Sequence, residues 1–252
     1  MSLLLGTAKN TFTLAPATGE EFIIELDAQY GSSTTWTDNS GSGLNATITG
    51  TTVGGSGDTK YVDVDGQDSD YAQVDVGTAF DSLSAFTIEA VFRTDEVMHA
   101  YPRFNFNQSS EYGFRLVTTQ STTGWNFWKF EFNGTGYSLD DKTASSSNSA
   151  YSYTSNTKIY CAATYDGTTL KSYFGKDSSV TNVTTTTVAE SDRGVMDASY
   201  KSDKTLAFGR ETNYSPTRYQ DSRFYYWSLK DKALTATEIS DRFSTFDSRF
   251  SL

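Results

Sequence analysis

Residues 61–96 read YVDVDGQDSDYAQVDVGTAFDSLSAFTIEAVFRTDE. Val62 and Val64 alternate with Asp63 and Asp65, and Ala72, Val74 and Val76 alternate with Gln73 and Asp75. Period two places each apolar set on one face of a strand. Gly66-Gln67-Asp68-Ser69-Asp70 between them is turn chemistry, so Tyr61–Asp65 and Tyr71–Val76 are expected to form a hairpin. Phe86–Arg93 follows, with Phe86, Ile88, Ala90 and Phe92 on one side.

The same alternation extends outward. Glu21–Gln29, Tyr112–Val117, Trp125–Phe132, Thr205–Gly209 and Ser222–Trp227 read as strands. Lys158–Tyr165 and Thr169–Phe174 are joined by Asp166-Gly167-Thr168, a hairpin signal. Gly31–Gly57 and Ser138–Ser152 read as long connections, and Thr181–Thr187 as an exposed strand or a linker. One helix is expected from Ala236 to about Phe246: Thr235 and Glu238 make a capping box, and Ile239, Phe243 and Phe246 share a face.

Composition narrows the function classes. Aromatic residues are 15% of the 252, far more than a disordered chain carries. A net charge of −11 argues against a phosphate-tracking nucleic-acid binder and against docking on an anionic membrane. A single cysteine, Cys161, makes no internal disulfide and no cysteine zinc site, and reads as a buried small hydrophobe. A single histidine, His99, leaves at most one imidazole for a triad, and no Gly-x-Ser-x-Gly elbow accompanies it. No apolar run is long enough to insert into a membrane, and residues 1–10 lack the pattern of a signal peptide.

Four blocks carry a family resemblance. Residues 61–96 resemble the strand, Asp-Gly-x-x-Asp-Tyr, strand, Phe-Thr-Ile-Glu-Ala core of the LamG-like, concanavalin A-like jelly rolls. IYCAATYDGTTLKSYFGKD (159–177) is similar to their Ala-Ala-Thr-Tyr-Asp-Gly-Thr hairpin, and SRFYYWSLKDKALTATEISDRF (222–243) to their closing strand and short helix. TWTDNSGSGLNATITGTT (35–52) resembles their Gly-rich loop. The resemblance implies an all-β, two-sheet antiparallel jelly-roll sandwich with a short C-terminal helix. The domain then spans 21–246, behind an N-terminal arm at 1–20 and ahead of a tail at 247–252. Leu3, Leu4, Leu5, Phe12 and Leu14 of the arm need a surface to bury against, in this domain or a neighbouring subunit.

The resemblance also implies sites. Glycanases of this type carry Glu-x-Asp-x-Glu; here the segment is Glu25-Leu26-Asp27-Ala28-Gln29, and Gln29 can serve neither as acid nor as nucleophile. No catalytic residue is therefore assigned. Related sandwiches hold a structural calcium, for which the matching positions are Asp27 and Asp221, with Asp38 and loop carbonyls as additions. The usual Asp-Glu ahead of the closing strand is Asp221-Ser222 here, which removes one ligand. Trp36, Tyr101, Trp125, Tyr137, Tyr151 and Tyr214 lie in or near loops where a ring could stack on a sugar, while Trp125, Trp128 and Trp227 also alternate within strands like core residues.

The expectation for function is a non-catalytic phage virion structural protein: a capsid decoration, head fibre or tail-associated adhesin. It would be made in the host cytoplasm, assemble with other virion subunits or with itself, and bind a host-surface glycan. The second expectation is a stand-alone calcium-stabilised lectin or carbohydrate-binding module.

Overall fold

The computed structural model describes residues 22–65, 69–81, 83–94, 101–108, 111–120, 126–132, 142–146, 154, 156–188, 204–211, 218–219 and 221–252. The arm expected at 1–20 lies outside them. The strands are β1 (Phe22–Asp27), β2 (Thr35–Trp36), β3 (Ala46–Thr49), β4 (Thr52–Gly54), β5 (Tyr61–Asp65) and β6 (Tyr71–Asp75). Next come β7 (Phe86–Thr94), β8 (Tyr101–Gln108), β9 (Glu111–Gln120), β10 (Asn126–Phe132), β11 (Lys142–Ser146) and β12 (Lys158–Tyr165). The last are β13 (Thr169–Lys176), β14 (Ser179–Thr187), β15 (Thr205–Phe208), β16 (Arg210–Glu211), β17 (Arg218–Tyr219) and β18 (Asp221–Lys230), followed by helix α1 (Ala236–Phe250).

Among the described residues all pairings are antiparallel, and they build two large sheets and a separate two-stranded one of β16 and β17. Sheet I runs β14-β13-β12-β7-β18-β5-β4, and sheet II runs β11-β10-β9-β8-β15-β6-β3-β2. In sheet I the long strand β18 has β7 along one side. Its other side is shared: Asp221–Phe224 pair with β5, and Tyr226–Lys230 with β1. The inward residues form one core between the sheets, including Ile88, Ala90 and Phe92 of β7, Cys161 and Ala163 of β12, and Phe104, Phe114 and Leu116 of sheet II. Its centre is aromatic. Phe208 lies 5.1 Å from Trp36, 5.5 Å from Phe224 and 5.7 Å from Trp227, measured between ring centroids.

The expected hairpin of Tyr61–Asp65 with Tyr71–Val76 does not form. β5 belongs to sheet I and β6 to sheet II, so the connection crosses the sandwich. Val62 and Val64 on one side and Ala72 and Val74 on the other face the same core from opposite layers. Alternation settles which face of a strand is buried, not which strand lies beside it. The β12–β13 hairpin forms as expected. Residues 179–187 are a strand, with one neighbour in sheet I.

Helix α1 covers the outer face of sheet I. Thr235 and Glu238 cap its start reciprocally. Its buried stripe is Ile239, Phe243, Phe246 and Phe250, so the helix runs about one turn past the expected end at Phe246. The stretch 247–252, expected as a tail, is part of this packing: Phe250 and Leu252 are buried, and the Phe250 ring lies 5.2 Å from that of Tyr225. The polar residues Asp247, Ser248 and Arg249 mask the continuation in the sequence, but Phe250 follows Phe246 at helical spacing. A bulge after Phe224 turns Tyr225 and Tyr226 both outward, giving the helix two consecutive tyrosines to pack on. At Gly175 on β13 the Phe243 ring lies where a Cβ would be.

Candidate functional site

The residues proposed for calcium already have partners. Asp27 ends β1 and caps the short turn at Ala28–Tyr30, accepting from the Gln29 backbone N–H and Nε2, each at 3.0 Å. Arg249 then grips the same carboxylate with two nitrogens, Nη1 to Oδ2 at 2.5 Å and Nη2 to Oδ1 at 2.6 Å. Asp38 is a hub for the Gly-rich loop. It accepts from the backbone N–H of Glu25, Ser40 and Leu44 and from the Ser40 hydroxyl, all within 3.0 Å. A cation would have to displace these donors.

Asp221 is opposite Asp65 at the start of β18, whereas Asp27 is opposite Tyr226. Five strand residues separate the two positions by about 16 Å. The structure therefore does not bring Asp27 and Asp221 to one ion, and these residues do not fit the calcium that the resemblance implies. Among the described residues no group of three His, Cys, Asp or Glu side chains is placed to hold a metal.

Glu25 belongs to a hydrogen-bonded chain beneath the helix. Tyr226 Oη donates to Glu25 Oε1 at 2.9 Å and accepts from Arg242 Nη2 at 2.8 Å. Arg242 Nε reaches both oxygens of Glu89, at 2.7 and 2.6 Å, and Tyr160 Oη donates to Glu89 Oε1 at 2.7 Å. Burial raises the Glu25 carboxyl, against the lowering pull of the Tyr226 bond and Arg242. Burial also holds the Tyr160 and Tyr226 hydroxyls well above their ordinary range. Glu89, Tyr160 and Tyr226 are inaccessible to solvent, and this network fastens α1 to sheet I.

Cross-strand registers align Lys158 with Arg93, Arg93 with Arg223, and Arg223 with Asp63, across β12, β7, β18 and β5. Their inward neighbours Ile159, Phe92, Phe224 and Val62 are in the core, so these four side chains project outward and are partly exposed. Arg223 Nε contacts Asp63 Oδ1 at 3.1 Å, and its guanidinium lies over the Tyr61 ring, 4.7 Å from the centroid. Tyr61 in turn rests directly on Gly54, which has no side chain to lift it. Lys158 Nζ donates to the Phe250 carbonyl at 2.6 Å, where the helix presents its negative end. This row is not legible in the sequence, because its members come from four strands whose register is long-range.

The remaining sequence candidates fall in three groups. Trp36 and Trp227 are fully buried core residues, not platforms for a sugar. Cys161 is buried too, and burial pushes its thiol well up, as an inert apolar packing residue requires. His99, Trp125, Tyr137, Tyr151 and Tyr214, and the side chains of Tyr101 and Trp128, lie outside the described residues.

No family model matches the chain, and no curated protein matches it either. Among solved structures it is similar to the binding domain of Paraclostridial Mosquitocidal Protein 1, at 18% identity and a TM-score of 0.63, covering 90% of this chain and 52% of that one. It is similar to the binding domain of botulinum neurotoxin serotype G at 14% identity, with a TM-score of 0.63 and coverage of 90% and 51%. A third similar structure is of botulinum neurotoxin type C, whose cell entry is dependent upon interaction with two ganglioside molecules: 13% identity, TM-score 0.59, coverage of 89% and 51%. The chain thus shares a β-sandwich fold with these binding domains and spans about half the length of each.

Proposed function

We propose that this chain is a carbohydrate-binding domain that recognises a glycan without chemically altering it. The observation that supports this reading is the match of about nine-tenths of its length to binding domains, one of them from a toxin that interacts with gangliosides. The side chains agree with it. Glu89 and Asp27 are engaged by arginines of the helix and Glu25 by Tyr226, which suits structural roles for these acids. Binding at an exposed face of a rigid sandwich needs no acid–base pair.

A glycan array that includes ganglioside oligosaccharides tests the reading, together with an assay for released reducing ends. Saturable binding to a defined sugar with no release supports it. Absence of binding to any sugar, or turnover of a bound one, overturns it. Display of the domain on a phage virion as a decoration, head fibre or adhesin is a separate proposal. It is tested by looking for the chain in purified particles.

A further inference from the structure

Three pieces meet at the rim of the sandwich beside the end of α1: the short turn at Ala28–Tyr30, a second short turn at Gly57–Thr59, and Arg249. Cα atoms of the two turns approach within 8 Å of each other. Arg249 clamps both. Two of its nitrogens hold Asp27, which caps the first turn, and its Nε donates to the Asp58 carbonyl in the second. The Arg249 and Asp27 side chains are only 5% and 3% exposed, so the clamp lies beneath the surface.

Above it stands Tyr30. Among the described residues it is the one large apolar side chain that is exposed, at 42%. A single exposed ring is ordinary on a protein surface, but this one has a fixed base. The Gly31 N–H donates to the Ala28 carbonyl at 3.0 Å, the Thr37 hydroxyl to the Tyr30 carbonyl at 3.0 Å, and the Ser32 N–H to the Thr35 carbonyl at 2.7 Å. Burial and the Asp27 carboxylate raise the Tyr30 hydroxyl, so it remains a protonated donor at neutral pH. On the second turn Asp58 is exposed. Its carbonyl is engaged by Arg249, and its carboxylate makes no bond among the described residues. A Cβ added at Gly57 would meet nothing within 4 Å, so nothing overhangs this turn. Ser32 and Ser33 follow Tyr30, and Thr59 follows Asp58, all of them exposed.

A sugar lays the apolar C–H face of its ring on an aromatic side chain, while a carboxylate accepts from its hydroxyls. A ring and an acid already held in place lose little freedom on binding. Asp58 and a net charge of −11 repel an anionic sugar but not an uncharged one.

We propose that Tyr30 and Asp58 form a subsite for an uncharged pyranose, with the Tyr30 ring under the sugar's C–H face and the Asp58 carboxylate accepting from its hydroxyls. This inference rests on the carbohydrate-binding reading above and adds to it the sugar class and the residues.

The test is an NMR titration of the full chain with lactose, cellobiose, maltose and N,N′-diacetylchitobiose, and with 3′-sialyllactose as the charged probe. At least one neutral disaccharide is expected to bind saturably, and 3′-sialyllactose to bind no more tightly than lactose. Tyr30→Ala should weaken the neutral sugar about tenfold, whereas Tyr30→Phe keeps the stacking face and should stay within about threefold of the wild type. Asp58→Ala should weaken it severalfold. Thr181→Ala, on β14 at the far edge of sheet I, should change nothing. Thermal melts check that each variant is folded, and Asp58→Ala carries the test if Tyr30→Ala is not. Unchanged affinity in either alanine variant overturns the subsite and leaves the carbohydrate-binding reading intact. A tenfold preference for 3′-sialyllactose over lactose does the same. Binding of none of the neutral probes also overturns the subsite, and a blank glycan array then overturns the carbohydrate-binding reading with it.

Discussion

Arg242 and Arg249 lie seven residues apart on α1, two turns along one face, and each reaches a carboxylate of sheet I: Glu89 and Asp27. All four side chains are largely or wholly buried, so losing one partner strands a charge away from water. Arg249→Ala is expected to cost about 3–5 kcal/mol of unfolding free energy, read from urea titration, with Arg242→Ala in the same range. Replacing Arg249 together with Asp27 by apolar residues should cost much less, because no charge is then stranded. Two glutamates give opposite pH dependence. The Lys232 bond and the Thr235 capping bonds lower Glu238 from 4.5 to about 2, so its contribution to stability is complete above 4.5 and fades as pH falls towards 2. Glu25 is raised by burial, so its contribution declines as pH rises through the region above 4.5. Melting temperature against pH should lose its acid-side slope in Glu238→Gln and its slope just above 4.5 in Glu25→Gln.

Helix α1 is held by shape as much as by charge. Because the Phe243 ring occupies the space a Gly175 side chain would need, Gly175→Ala should lift the helix and cost about 1–3 kcal/mol in chemical unfolding. Phe246 packs against both Tyr160 and Tyr226, at 5.8 and 4.6 Å between centroids, and Phe246→Ala should cost about 3–5 kcal/mol. These elements differ in how plainly the sequence announces them. Strands such as β7 and β12 are legible because Phe86, Ile88, Ala90 and Phe92 or Ile159, Cys161 and Ala163 alternate over a long run. The capping box of α1 is legible because Thr235 and Glu238 are neighbours on the chain. β2, β3 and β4 hide in the Gly-rich stretch at 31–57, being too short for a period to show. The partner of Asp27 is equally hidden, since an acid at the end of β1 gives no sign of an arginine near the far end of the chain. The row at Arg93 is a product of register, which alternation does not encode.

At the scale of the whole molecule, a β-sandwich that fastens its own helix with arginines has no need of an ion at Asp27 or Asp38. Excess EDTA is expected to leave the melting temperature unchanged; a fall of several degrees would place a stabilising cation at other residues. The central position of β18 has a further consequence. It joins β7 on one side to β1 and β5 on the other, yet it follows every other strand in the chain. While the polypeptide emerges from the ribosome, the segments destined to flank β18 must wait, unjoined, until it arrives. Closure of sheet I is therefore a late event in biosynthesis, and the nascent chain exposes apolar strand edges until then.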